Sequence, residues 1–391
     1  MLAEQVTPAS RPRRHDGLLA ERGGWAEVLW APALLFAGIA RVRSALYSRR
    51  LAASFEVGAP VVSVGNIAAG GTGKTPMIAW LAGRLRARGL RAGIVSRGYG
   101  ASRGDGVSPK NGAEPSGAAQ APNDEARMLA EILPDVPHLQ DRDRVGAASR
   151  LVDQGLDVIL VDDGFQHRRL ARDVDLVLLD ALRPFGLPAP DGGGEPVEAP
   201  LPRGLMREPM TALRRASAVV LTRVDAVDEA ALEQLERRIE RAAPGVPVLR
   251  AQHVPVAYRD ARDPARTRRP LSDLDGLEVD LVSGIGNPGA FELTAGALGA
   301  LVRSHRRFPD HHAFAPGELD GLGEERPVLT TAKDAARLEG LPDVEAPEQL
   351  LVLDVEMSVT RGEPIMDALL DTLPPSQRSR ERASIHEGLH G

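Results

Sequence analysis

The chain of 391 residues contains no cysteine, which removes disulfides, thiolate metal sites and cysteine nucleophiles together. Lysine is nearly missing as well. Lys74, Lys110 and Lys333 are its only occurrences, so almost all of the 48 basic side chains are arginine. A basic excess is lacking too: the formal net charge is −6, which argues against a general nucleic-acid binder. Long hydrophobic runs are also absent. The most apolar stretch, from Val28 to Ala40, covers about 13 residues, whereas a transmembrane helix needs roughly 20. What remains is ordinary for a soluble chain, with 43% apolar and 26% charged residues, and the length suffices for two domains.

Residues 1–16 show no apolar periodicity and read as a loose arm. Residues 17–58 have a different character. Trp25, Trp30, Phe36, Tyr47 and Phe55 account for five of the thirteen aromatics, and arginines are interleaved with them and follow them. This composition predicts an amphipathic helix lying on anionic lipid, the alternative being a helix packed on its own domain. From Pro60 onward, strand and helix signals alternate. Strands are expected at 60–66, 91–96, 156–166, 173–180 and 216–225, with helices at 76–88, 123–133, 141–154 and 228–242. Such alternation predicts a mostly parallel sheet with helices on both faces. Residues 101–122 form a polar Gly/Pro/Ala loop, and "RDARDPARTRRP" near residue 259 reads as a linker. The expected division is therefore a nucleotide-binding and catalytic domain over 59–258, a smaller α/β lobe over 259–372 and a disordered polar tail over 373–391.

Within the first domain, "AAGGTGKT" runs from Ala68 to Thr75 after a buried strand and before a helix. The phosphate-cradle pattern G-x-x-x-x-G-K-[ST] is matched except at its first glycine, where Ala68 stands. In such a loop, Ala68, Ala69, Gly70, Gly71, Thr72, Gly73, Lys74 and Thr75 turn backbone amides toward phosphate oxygens at a helix N-terminus. Lys74 would reach the β- and γ-phosphates, and the Thr75 hydroxyl would ligate Mg²⁺. About 90 residues later, Asp162 and Asp163 end the apolar run "DVILV" and project from the carboxyl edge of a strand. Open α/β sheets place ligands at that edge, and one or both carboxylates can hold the metal.

The segments "SVGNIAAGGTGKTP", "SRGYG", "NDEARML", "DDGFQHRRLARDVDLVLLD", "MREP", "SGIGNPGAF", "FPDHHAF" and "LTTAKDAARL" occur in the order and approximate spacing of the tetraacyldisaccharide 4'-kinases. Over roughly residues 20–372 the chain resembles that family. The resemblance implies a P-loop kinase-like α/β fold with a smaller C-terminal lobe. It also implies ATP and Mg²⁺ as cofactors, and transfer of a γ-phosphoryl to the 4'-hydroxyl of a tetraacyldisaccharide 1-phosphate. By similarity, Asp124 of "NDEA" accepts the hydroxyl proton and His311 of "FPDH" pairs with it, His312 being the other candidate. Arg207 of "MREP" would neutralise phosphate charge, and Glu208, with Thr75 and Asp163, would assist the metal. Arg144 reads either as a phosphate contact or as a surface helix charge, and Lys333 as structural or substrate-binding. The implied partners are a lipid-linked disaccharide and a membrane surface, without nucleic acid. The implied location is peripheral, on the cytoplasmic face of the bacterial inner membrane.

Two other classes compete. A nucleotide switch or partitioning-type ATPase would need the loop and the paired carboxylates but no base for an alcohol. A small-molecule kinase or metallochaperone GTPase leaves the aromatic and arginine-rich residues 25–50 without a use.

Overall fold

The computed structural model describes residues 24–97, 124–184, 197–285, 288–309, 312, 314–338 and 346–377, and in it the short apolar runs become parallel strands. The chain divides into two units, one from the described residues of Glu27–Leu187, Pro196–His253 and Met357–Gly391, the other from those of Met1–Ala26, Pro188–Glu195 and Val254–Glu356.

A 3-10 turn, Trp25–Leu29, leads into α1 (Trp30–Ser48). The first unit continues with β1 (Val61–Asn66), α2 (Lys74–Ala87), β2 (Ala92–Ser96), α3 (Asp124–Ile132), β3 (His138–Gln140), α4 (Arg144–Asp153), β4 (Val158–Asp162), β5 (Val174–Asp180), β6 (Ala218–Thr222), α5 (Glu229–Ala242) and the start of β7 (Val248–Asp260). Its strands lie in the order β3-β2-β4-β1-β5-β6-β7 and pair in parallel. Every residue of β1, β2, β4, β5 and β6 is buried, as expected of a parallel sheet covered on both faces.

The two-residue period of the strands sorts their side chains. Val62, Val64, Leu160, Leu176, Leu178 and Val220 pack with Met77, Ile78, Leu81 and Leu85 of α2. Val177, Leu179, Val219 and Leu221 join Leu232, Leu235 and Ile239 of α5 in a separate cluster. The buried positions of α2 recur every three or four residues, which is what turns one face onto the sheet. Ile78, Leu81 and Leu85 are fully buried, and each contributes on the order of 1.5–3 kcal/mol. This burial fixes the N-terminus of α2, and with it Lys74, at the carboxyl edge of β1.

The second unit contains β8 (Glu278–Ser283), α6 (Pro288–Ala297), β9 (Leu301–Arg307), β10 (Val328–Thr331), α7 (Ala332–Leu338) and most of β11 (Leu350–Arg361). Its strands are ordered β11-β10-β8-β9, again parallel. Strands β7 and β11 each carry the chain from one unit to the other. The chain ends its described course in the first unit with α8 (Glu363–Asp371), where Arg84 of α2 and Arg88, just after its end, pair with Glu363 and Asp371 at 2.8 Å.

Some features differ from the sequence-based expectations. The linker expected from residue 259 begins inside β7, whose buried arginines disguise it. Arg250 is held by Glu229 and Glu236 at 2.6 and 2.8 Å, and Arg259 by Asp354 at 3.2 Å. The polar end of the chain is ordered at least to Gln377, whose amide donates to Gly58 O at 2.8 Å, beside the buried Ser376. The N-terminal helical segment, Trp25–Ser48, is 24 residues long and contains an 18-residue stretch with a mean hydropathy of 1.4, so by length and composition alone it is able to cross a membrane. Beyond the 13-residue run that ends at Ala40, Val42, Ala45 and Leu46 continue the apolar content of the same helix. The arm 1–16 and the loop 101–122 lie outside the described residues.

Candidate active site

After Asn66 the chain leaves the sheet as a short antiparallel ladder with the MREP segment. Ala69 N donates to Leu205 O at 2.7 Å, Arg207 N donates to Ile67 O at 2.7 Å, and Ala68 bridges Met206. This ladder explains the alanine where the phosphate-cradle pattern has glycine. Ala68 is extended and buried, and the left-handed conformations fall later, at Gly70 (φ 135°) and Gly73 (φ 84°). A Cβ added at Gly70 or Gly71 would meet nothing within 4 Å, so this side of the loop is open to a ligand, whereas at Gly73 it would lie 2.9 Å from His253 Nε2. Thr72 is pinned twice: Asn66 Nδ2 donates to its hydroxyl at 3.3 Å and the Thr222 hydroxyl donates to its carbonyl at 3.0 Å. Lys74 and Thr75 open α2 directly after the loop, which gives the amide-lined concavity of a phosphate site.

Beside the loop, β1 pairs with β4 so that Val64 lies opposite Asp162. Two glycines permit this approach. A Cβ at Gly65 would stand 2.6 Å from Phe165 Cβ, and one at Gly164 would stand 2.4 Å from Ser63 Oγ. Asp163, between them, is a non-glycine residue at φ 49°, a conformation that costs on the order of 1–3 kcal/mol. It is held there by three cations: Arg207 Nη1 donates to its two carboxylate oxygens at 2.7 and 2.8 Å, Arg144 Nη1 donates to its carbonyl at 2.9 Å, and Lys74 Nζ lies 4.0 Å away. Burial pushes the Asp163 carboxyl up, but the charges of Lys74, Arg207 and Arg144 outweigh it and hold the group below the usual carboxylate range. Arg144 is buried, which removes its reading as a surface helix charge.

Glu208 is tied to the same region through Gln166, whose Nε2 donates to Glu208 Oε1 at 3.1 Å and to Asn66 O at 2.8 Å. Arg215 donates to the other Glu208 oxygen at 2.8 Å. Gln166 and Arg215 are functional neighbours that the sequence alone does not single out; of the two, only Gln166, adjoining the DDGF run, carries a local signal. Among the described residues no group of three His, Asp or Glu side chains is placed as a metal centre. The donors available at the loop, the hydroxyl of Thr75 and the carboxylates of Asp162, Asp163 and Glu208, are all oxygen, which suits Mg²⁺.

Asp124 is the first residue of α3. His311 lies outside the described residues. His312 is engaged in the second unit: its Nε2 is 2.7 Å from Glu318 Oε2, and its ring stacks on Phe308 with centroids 4.7 Å apart.

The profile of the tetraacyldisaccharide-1-P 4'-kinase family matches residues 25–374. The chain belongs to this family. A tetraacyldisaccharide 4'-kinase of Anaeromyxobacter sp. (strain K) is 41% identical over 91% of this chain and 94% of its own length. That of Aeromonas salmonicida is 35% identical over 81% and 85%. Among solved structures, LpxK from Aquifex aeolicus in complex with ATP aligns with a TM-score of 0.66 at 28% identity, covering 89% of this chain and 98% of that one. The kinase fold, the phosphate loop and the transferase class therefore stand together, and the switch-type ATPase is not favoured.

Proposed function

We propose that the chain transfers the γ-phosphoryl of ATP to the 4'-hydroxyl of a tetraacyldisaccharide 1-phosphate, at the cytoplasmic face of the bacterial inner membrane. The observation that carries this reading is the convergence of Lys74 and Arg207 on Asp163 at the open mouth of the loop. Phosphoryl transfer asks the protein mainly for positioning and for neutralisation of charge on the transferred group. Lys74 and Arg207 supply two cations, and the loop amides supply fixed dipoles. A bound Mg²⁺, held by Thr75 with Asp163 and Glu208, would offset the charge of the phosphates.

In the reaction the sugar oxygen forms a bond to the γ-phosphorus while the bond from that phosphorus to the bridging oxygen breaks, releasing ADP. The hydroxyl proton goes to the Asp124 carboxylate, with His311 sharing it.

The lipid substrate gives α1 its use. Lifting acyl chains out of a bilayer costs about 0.8 kcal/mol per CH₂, so the enzyme docks at the surface instead. Leu34, Leu35, Phe36, Ile39, Val42 and Leu46 are exposed on the helix. Both ends of the segment are tied to the nucleotide-binding unit, Glu27 to Arg203 at 2.8 Å and Ser48 to Arg168 at 3.0 Å. A helix fastened at both ends favours lying along the membrane over crossing it.

The test is incubation of purified protein with labelled ATP, Mg²⁺ and tetraacyldisaccharide 1-phosphate in detergent. A labelled bis-phosphorylated glycolipid is expected, and Asp124→Asn should lower its rate without weakening ATP binding. Hydrolysis of ATP with no labelled lipid would overturn the proposal.

A further inference from the structure

Three sequence motifs, SGIGNPGAF, FPDHHAF and LTTAKDAARL, take no part in the phosphate loop, and their described residues meet in the second unit around the carboxyl end of β8. Strands β8 and β9 run in parallel, and one extra residue in β9 shifts their register between Val279 and Asp280. Such a shift moves every later side chain to the other face of the sheet. Leu281 therefore stands opposite His305, and Ser283 opposite Arg307. Leu281 packs with Phe291 and Ala295 of α6, so His305 is delivered to the α6 side as well.

There the side chains join in a line of hydrogen bonds. His305 Nε2 is 2.8 Å from Ser283 Oγ, and His305 Nδ1 is 2.8 Å from Glu292 Oε2 of α6. Arg307 pairs with the same Glu292 oxygen. Burial holds the His305 imidazole below its ordinary pKa, so the ring is neutral: Nδ1 donates to the carboxylate and Nε2 accepts from the hydroxyl. Ser, His and Glu so arranged have the geometry of a nucleophilic triad. Ser283 is fully buried, however, and out of reach of a substrate. What it does reach is the next segment. Its carbonyl accepts from the amide of Phe308, the first residue after β9, at 2.8 Å. A Cβ on the neighbouring Gly284 would lie 3.4 Å from Pro309 O, and Gly284 O accepts from Arg337 at 2.9 Å.

We infer that Ser283, His305 and Glu292 are positioning residues for phosphoryl transfer: their hydrogen-bonded line fixes the end of β8 on which Phe308 and Pro309 are laid, and with it the start of the segment bearing the FPDHH histidines. This role rests on the kinase reading, in which His311 shares the transferred proton with Asp124. Groups that move protons act only within hydrogen-bond reach, and a misplacement of 1 Å costs about 10² in rate. A fully satisfied buried polar network suits the task because it rigidifies and specifies one arrangement.

The experiment measures labelled lipid product, and ATP affinity by calorimetry, for variants of the full chain. Glu292→Ala is expected to lower kcat by up to about 10², with KM and Kd for ATP as in wild type. Glu292→Gln, whose amide oxygen still accepts from His305 Nδ1, should recover most of the rate. Ser283→Ala should lower kcat in the same selective way. Glu278→Ala breaks an exposed pair with Arg303 on the same two strands and should leave both constants unchanged. If Ser283→Ala fails to fold, the two variants at Glu292, whose side chain is 38% exposed, decide alone. A loss in Glu292→Ala that glutamine does not rescue, or an unchanged kcat in Glu292→Ala, would overturn the assignment. A wild-type chain that forms no labelled lipid would instead overturn the kinase reading, and the assignment with it.

Discussion

Arg207 and Asp163 share two hydrogen bonds, from one guanidinium nitrogen to both carboxylate oxygens, and the pair sits where the phosphate loop opens into α2. The arginine arrives there because residues 205–208 are zipped onto residues 67–69 by backbone pairing. Its position is therefore set by main chain, and only its charge is free to act on a ligand.

Replacing that charge should affect chemistry more than binding. Arginines that stabilise the transferred phosphoryl group are worth about 10³–10⁵ in kcat. Arg207→Ala is expected to lower kcat by about 10³ while KM for ATP changes far less. Arg207→Lys should recover only part of the rate, since a lysine offers a point charge in place of a fork. Steady-state kinetics with saturating lipid checks this, and an unchanged kcat would remove Arg207 from the site.

The pH dependence of stability has a predictable direction. Burial lowers the His138 imidazole to about 4, and burial together with Arg223 does the same for His253. In the unfolded chain a histidine titrates near 6.5. The folded state thus binds these protons less readily, so the stability of the neutral rings is fully present above about pH 6.5 and is lost as pH falls toward 4. Each ring contributes a slope of at most about 1.4 kcal/mol per pH unit. His138→Gln should keep a partner for Ser96, which His138 meets at 2.8 Å. It should also flatten the decline of the urea midpoint between pH 6.5 and 4. An identical decline in wild type and variant would sink the argument.

A buried pair in the second unit gives a sharper stability test. Asp334 is fully buried and Arg337 nearly so; their side chains meet at 2.9 Å, Arg337 also donates to Gly284 O at 2.9 Å, and Thr331 Oγ1 donates to Asp334 at 2.8 Å. Removing one partner leaves a charge in a low-dielectric site, at a cost of about 3–5 kcal/mol. Asp334→Ala should therefore lower the urea midpoint far more than Glu233→Ala, which breaks the exposed 3.3 Å pair with Arg237. Exposed pairs are worth about 0–1 kcal/mol. Similar small losses in both variants would contradict the packing described.

The sequence revealed those parts of the site whose chemistry is local. The glycine run before Lys74 and the carboxylates ending β4 each announce themselves within a dozen residues, because a cradle needs glycine and a strand end needs an apolar run before it. Contacts that pin the site from afar left no such trace. Thr222 grips Thr72 across 150 positions, and Gln166 joins Asn66 to Glu208 across 100 and 42. Strand β7 was hidden for a related reason: Arg259 reads as a linker residue until the carboxylate of Asp354 that neutralises it is seen. Helix α1 is less amphipathic than its composition predicts. Its first three turns, from Trp30 to Ala40, contain no charge at all, so more than one side of the helix presents apolar surface.

That surface makes the last prediction. Leu35 and Ile39 lie one turn apart on α1 and are 67% and 61% exposed, so replacing both by serine removes mainly solvent-facing apolar area. Folding should be nearly unaffected, because the contacts that hold the helix run through Arg168, Arg203 and Arg215 to other residues. Binding to vesicles containing anionic lipid should fall, since each buried aliphatic side chain contributes about 1.5–3 kcal/mol to insertion. ATP binding in solution should stay as in wild type. Raised salt should weaken the residual vesicle binding further, because the arginines Arg41, Arg43, Arg49 and Arg50 then carry a larger share of it. Sedimentation with vesicles at two salt concentrations checks both claims. A double variant that partitions like wild type would return α1 to a packing role.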